Sequence, residues 1–193
     1  MQELLSDALA QHLAGQMGAA ALLYKQVLSA DQANVDALHL LGVLRHQQGE
    51  HRQAVELISQ AVALRPNVAA FHANLAEAYR AQGQLERAIG CCRTALRLTP
   101  DYPEALNNLG LTLQELGRAG EAIEQFQHAL QLQPNSATTH NILGICLREL
   151  KQMDEALSHF RTAVEIDPAF GQAQTNLGQV LVDRGKAEEA LPH

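Results

Sequence analysis

Proline recurs in this chain at one fixed interval: Pro66, Pro100, Pro134 and Pro168 are each 34 residues apart. Ala20, Ala54, Ala88, Ala122, Ala156 and Ala190 keep the same interval, as do Ala8, Gly42, Ala76, Gly110, Gly144 and Gly178. Three independent tracks in one register make the chain an array of a single repeated unit. Self-similarity at such a period restricts it to architectures in which each unit packs only on its neighbours.

With the prolines set at position 32, the units are 1–34, 35–68, 69–102, 103–136, 137–170 and a partial 171–193, read as one continuous array. Apolar residues follow helical spacing twice in each unit, on either side of a break near position 15. The break is Gly15, Gly49, Gly83, Gly117 and Gly185, with Lys151 as the exception. Glycine after a periodic run marks a helix C-terminus because it enters the left-handed conformation cheaply. Proline near position 32 stops the second helix. Each unit is thus predicted to be a helix–turn–helix, and the chain to be all-α. Small residues at positions 8, 20 and 27 let helices approach closely. Leu75, Leu109, Leu143, Tyr24, Phe126, Phe160, Leu96 and Leu130 are predicted to fill the space between them.

The composition agrees. Of 193 residues 47% are hydrophobic but only 4% aromatic, with no Trp, which suits helices packed through small and aliphatic side chains. The formal charge of −7 and the lack of a basic stripe argue against a nucleic-acid partner. No apolar run is long enough for a transmembrane helix, and the N-terminus lacks the basic n-region of a signal peptide. A cytoplasmic location is the default expectation. Cys91, Cys92 and Cys146 are an odd set without secretory signals and read as small core thiols.

The order Leu-Gly, Ala, aromatic, Ala, Pro at this period resembles the tetratricopeptide repeat, most fully in the fourth unit: Leu106, Leu109, Gly110, Leu113, Ala122, Phe126, Ala129 and Pro134. The third unit departs from the pattern at His72 and Cys92. The first departs at Asp7, Val27 and Gln32. The resemblance implies a right-handed α-solenoid (superhelix) whose first helices line a concave groove. It places His39, Asn74, Glu77, Arg80, Asn107, Asn108, Leu111, Asn141, Arg148 and Asn176 in that groove. Asn74, Asn108 and Asn176 share position 6, interrupted at Ile142, where Asn141 stands one residue away.

Asparagine is a mediocre helix former, so these residues need another reason to be there. An amide carries both donor and acceptor and can pair with the main chain of an extended peptide whatever its sequence. It can equally bond a neighbouring helix, and both readings stand at this point. The phrasing "NNLG" and "EAI" resembles repeats of O-linked N-acetylglucosaminyltransferase-type proteins, in which an asparagine ladder grips the substrate's main chain. Groove acids at Asp36, Glu77, Glu104, Glu115, Glu149 and Asp183, against Arg80 and Arg148, favour a neutral or mildly basic segment. Some members clamp acidic chaperone tails with Lys and Asn at positions 5 and 9; here neither position holds a Lys, and position 9 has no Asn.

No phosphate-binding, dinucleotide, zinc-protease or nucleophile-elbow motif occurs. Carboxylate pairs such as Glu188 and Glu189 read as solvated helix surface. His39 and His46 stand two helical turns apart, too far to share one metal. Neither a catalytic set nor a metal or cofactor site is expected. The leading expectation is a protein-interaction module, or scaffold, holding an extended peptide or partner helix in its groove. The alternative is the substrate-selecting region of a larger glycosyltransferase with its catalytic domain beyond His193. A third is self-association through an uncapped C-terminal end, exposing Leu177, Val180 and Leu181.

Overall fold

The computed structural model describes residues 1–183; Gly185, Glu188, Glu189 and Ala190 lie outside the described residues. The described residues form eleven α-helices and no strand. The chain divides into two compact units, Met1–Pro100 and Asp101–His193. The first holds α1 (Gln2–Leu13), α2 (Met17–Ala30), α3 (Val35–Gln47), α4 (His51–Leu64), α5 (Ala69–Ala81) and α6 (Leu85–Leu98). The second holds α7 (Pro103–Glu115), α8 (Ala119–Leu132), α9 (Ala137–Glu149), α10 (Met153–Ile166) and α11 (Gly171–Asp183). Within each unit, helices pack mainly against their sequence neighbours, as a repeat array requires. The odd-numbered helices are the first helices of their repeats and the even-numbered the second.

Among the described residues, the turn inside each of the first five repeats is a helix C-cap of one type. After α3, Gly49 N–H donates to the His46 carbonyl (2.9 Å) and Glu50 N–H to the Arg45 carbonyl (2.9 Å). That crossed pair requires a left-handed residue between, and Gly49 sits at φ +79°. The repeat without glycine makes the same turn. Lys151 is at φ +62°, Lys151 N–H donates to Arg148 O (2.9 Å) and Gln152 N–H to Leu147 O (2.9 Å). The surrounding ladder imposes the conformation on a side chain that disfavours it.

The turn between repeats does not depend on proline. Gln32 stands where later repeats have Pro, yet α2 still ends at Ala30. There Asp31 Oδ1 accepts from Ala33 N–H (3.1 Å), and Asn34 Oδ1 accepts from Ala37 N–H (3.1 Å) to cap α3. Three of the later prolines have their own carbonyl met from position 4 of the next helix. His72 Nε2 meets Pro66 O at 2.7 Å, His140 Nε2 meets Pro134 O at 3.0 Å, and Gln174 Nε2 donates to Pro168 O at 2.7 Å. The unusual His72 is therefore a loop tie.

Packing within each repeat turns on position 8. A Cβ added to Gly110 would lie 2.6 Å from the Phe126 ring, and one added to Gly144 would lie 2.7 Å from the Phe160 ring. At Gly42 it would meet Ile58 Cγ1 at 2.5 Å. Glycine here is a seat for the large residue at position 24. The third repeat has Ala76 at the seat and Cys92 opposite, both buried, so a smaller partner accompanies the added methyl. The exchange is not strict, since Ala8 and Tyr24 share one buried cluster in the first repeat. Of the predicted fillers, Leu75, Leu109, Leu143, Tyr24, Phe126 and Phe160 are buried, and Leu96 and Leu130 are half-buried.

Candidate interaction face

The side chains singled out from the sequence sit on first helices, and each unit presents its own row. In the first unit, Asn74 on α5 reaches back to His39 on α3, with Nδ2 and Nε2 2.8 Å apart. The His39 ring lies 4.3 Å from that of Phe71. Burial, opposed by nearby Asp36, pushes the His39 imidazole down to about 4. The neutral ring accepts the Asn74 amide N–H through its bare Nε2. Glu77, one turn beyond Asn74, faces His46 Nε2 at 3.5 Å, and that contact is the main reason its carboxyl is held below the ordinary range. Asp36 is engaged by Arg65 at 3.1 Å. Val43, His46, Ile58, Asn74 and Glu77 line a shallow depression.

In the second unit, Asn176 Nδ2 on α11 donates to Asn141 Oδ1 on α9 (2.9 Å). Thr139 Oγ1 donates to Asn107 Oδ1 (3.3 Å), and Gln114 Nε2 on α7 donates to Glu149 Oε1 (3.1 Å). Asn141 is 1% exposed, so its side chain serves the interior. Asn107, Asn108 and Asn176 are half-buried, and so are Leu111, Ile142 and Ile145. The Asn108 carbonyl accepts from Thr112 Oγ1 (2.6 Å). Arg148 lies over the Phe160 ring, 5.9 Å from its centroid. Arg80, in the first unit, is half-buried.

A pattern absent from the sequence reading emerges. Asn74 and Asn176 each commit one end of the amide, the Nδ2 donor, to the preceding repeat. Their Oδ1 atoms make no further bond among the described residues, and the same holds for Asn107 Nδ2. The amides are fixed at one end and open at the other.

Three other expectations meet the structure. Leu177, Val180 and Leu181 were expected on an exposed end but are 2%, 0% and 1% exposed, so they offer no sticky surface. Their spacing matches core positions of the earlier first helices, which explains why burial prevails. Cys92 and Cys146 are buried and Cys91 half-buried; burial pushes their thiols to about 12, 12 and 11. Thiols held so high are poor nucleophiles. Among the described residues no three His, Cys, Asp or Glu side chains gather into a metal cluster, and no helix is long and apolar enough to cross a membrane. Sequence reasoning missed a cavity of about 240 Å³ lined by Lys25, Leu41, Arg45, Gln53, Glu56, Leu57 and Gln60, because it draws on α2, α3 and α4 together.

Known proteins agree with this architecture. Family profiles described as tetratricopeptide or TPR repeat match residues 11–73, 76–117, 101–169 and 171–193. No curated protein sequence matches the chain. Among solved structures, MamA is 26% identical over 82% of this chain and 93% of its own, with a TM-score of 0.72. A thermophilic TPR protein of Thermus thermophilus is 24% identical over 94% of this chain and 98% of its own, with a TM-score of 0.77. YrrB, described as a TPR protein with an unusual peptide-binding site, is 22% identical over 88% of this chain and 87% of its own, with a TM-score of 0.67. With helix pairs, turn geometry and profiles all at one period, the chain is an array of tetratricopeptide repeats.

Proposed function

We propose that this protein is an interaction module whose first-helix faces hold an extended polypeptide segment by its main chain. The observation that carries this reading is the half-committed amide. Asn74 and Asn176 present an acceptor, and Asn107 a donor, on side chains already immobilised by a neighbouring repeat. Groups ordered before the ligand arrives lose little further freedom on binding. Main-chain N–H and C=O groups supply the complementary partners without regard to sequence.

The remaining groove residues set what kind of segment fits. Leu111, Ile142 and Ile145 form a half-buried apolar strip beside the amides. Glu104, Glu115 and Glu149 are exposed around it. With the net charge of −7 they favour a neutral to mildly basic partner and speed its approach. Asn108, His39, Glu77, Arg80 and Arg148 complete the proposed set, and Asn141 acts through Asn176 by holding it in place.

The test is selection of peptides from a random display library on the intact chain. Enrichment of extended segments with basic and apolar residues is expected, as is loss of their binding in a Leu111→Ser/Ile145→Ser variant of native helicity. Undiminished binding in that variant would move the working surface elsewhere. The transferase reading rests on the resemblance of the repeats and is tested separately, by reading the parent gene past His193 for a catalytic domain.

A further inference from the structure

We propose that His46 and His51 form a binding site for one divalent late transition-metal ion, of which zinc and nickel suit imidazole donors. His46 lies in the last turn of α3 and His51 opens α4, so the turn at residues 47–50 brings both rings together. Their Nδ1 atoms are 3.2 Å apart. That is about the edge of a coordination polyhedron whose metal–nitrogen bonds are roughly 2.0–2.1 Å.

Two features separate this pair from an ordinary histidine contact. The first is the carboxylate behind it: Glu77 Oε1 faces His46 Nε2 at 3.5 Å. An acceptor there keeps the proton on Nε2 and leaves Nδ1 with a bare lone pair, the arrangement found behind metal-ligating histidines. The second is the tilt of the rings, visible by comparison with the His140–His159 pair. His140 and His159 have their Nδ1 atoms closer, at 2.9 Å, yet their ring centroids are farther apart, 5.1 Å against 4.9 Å for His46 and His51. The His140 pair points nearly nitrogen to nitrogen, the geometry of a single N–H···N bond. The His46 pair departs from that line, its nitrogens farther apart and its rings closer, which leaves room for an ion beside the two nitrogens.

The surroundings suit an ion. Both residues are half-buried, so water reaches the pair to complete the coordination. The nearby Arg45 guanidinium is engaged by Glu50 (3.1 Å) and Gln48 (2.8 Å). Gln82 Nε2 on α5 donates to the His51 carbonyl (2.7 Å), tying the start of α4 to the next repeat. The ion replaces the proton shared between the two Nδ1 atoms, so binding releases a proton. A bound ion would staple α3 to α4 across their turn.

The experiment is calorimetric titration of zinc chloride, and separately nickel chloride, into the untagged chain. One equivalent of binding is expected, absent in His46→Ala and in His51→Ala and unchanged in His140→Ala. Glu77→Ala should weaken binding by about tenfold or more, as loss of an orienting partner does. His51→Gln, which keeps a polar side chain at the start of α4, guards against a folding artefact and should also fail to bind. No binding by the wild type would overturn the proposal, and so would equal binding in a folded His51→Ala or His51→Gln.

Discussion

Asn176 Nδ2 donates to Asn141 Oδ1 across 2.9 Å, and the two residues are 35 positions apart, one more than the repeat. The same offset of 35 joins His39 to Asn74, His12 to Gln47 and Gln114 to Glu149. Position 5 of one first helix meets position 6 of the next, and position 12 meets position 13. Successive first helices are thus pinned by polar pairs as well as by apolar packing. Asn176→Ala leaves the buried Asn141 oxygen without its partner and should destabilise the second unit by about 1–3 kcal/mol. Adding Asn141→Leu should recover part of that loss in urea denaturation, because no unpaired amide then remains.

Lys151 occupies, at φ +62°, the left-handed position that Gly15, Gly49, Gly83 and Gly117 fill in the first four repeats. The strain relieved by Lys151→Gly is about 1–2 kcal/mol, offset by about 0.5–1 kcal/mol of added backbone freedom in the unfolded chain. A net gain of roughly 0.5–1 kcal/mol is expected, read as a higher denaturation midpoint with an unchanged m-value.

Gly110→Ala tests the seat for Phe126. A helix interior ordinarily gains about 1 kcal/mol from this change. Here the new methyl would lie 2.6 Å from a fully buried ring, and overpacking of that kind costs about 1–3 kcal/mol. Net destabilisation is expected, and Gly110→Ala combined with Phe126→Leu should be milder than Gly110→Ala alone.

Much of this architecture was legible in the sequence, because proline, glycine and small-residue tracks each report a backbone or packing requirement that recurs in every repeat. The break between the paired helices and the core residues at positions 7, 8 and 24 followed from those tracks. Other features depended on which atoms meet across a turn or between repeats, and periodicity carries no such information. His72 looked like a deviation until its nitrogen was seen on the Pro66 carbonyl. Asn141 and Asn176 looked alike, yet the first is buried and the second half-exposed. Leu177, Val180 and Leu181 looked like an open end and are buried. The convergence of His46 and His51 was hidden because five residues of sequence separation says nothing about two side chains until the turn between them is known.

His39 makes the first unit sensitive to acid. Its folded-state value, about 4, lies below the 6.5 of an unperturbed imidazole because burial disfavours the charged ring. Below 6.5 the unfolded chain takes up the proton more readily than the folded one, so stability falls as pH drops from 6.5 toward 4. The penalty reaches on the order of 3 kcal/mol by pH 4. His159, also shifted down by burial and by His140, adds to the same trend. His39→Gln should flatten the decline in the first unit when thermal midpoints are compared between pH 7 and pH 4.5.

The most direct test of the account is the affinity of the tightest library-selected peptide for the wild type and for Asn74/Asn107/Asn176→Ala, with helicity matched by circular dichroism. If the open ends of fixed amides hold the peptide's main chain, the triple variant should bind at least about tenfold more weakly, the sum of several modest hydrogen bonds. It should also lose the wild type's discrimination against a backbone N-methylated peptide. Equal affinity of the two proteins, at equal helicity, would contradict the account and leave those asparagines as ties between repeats alone.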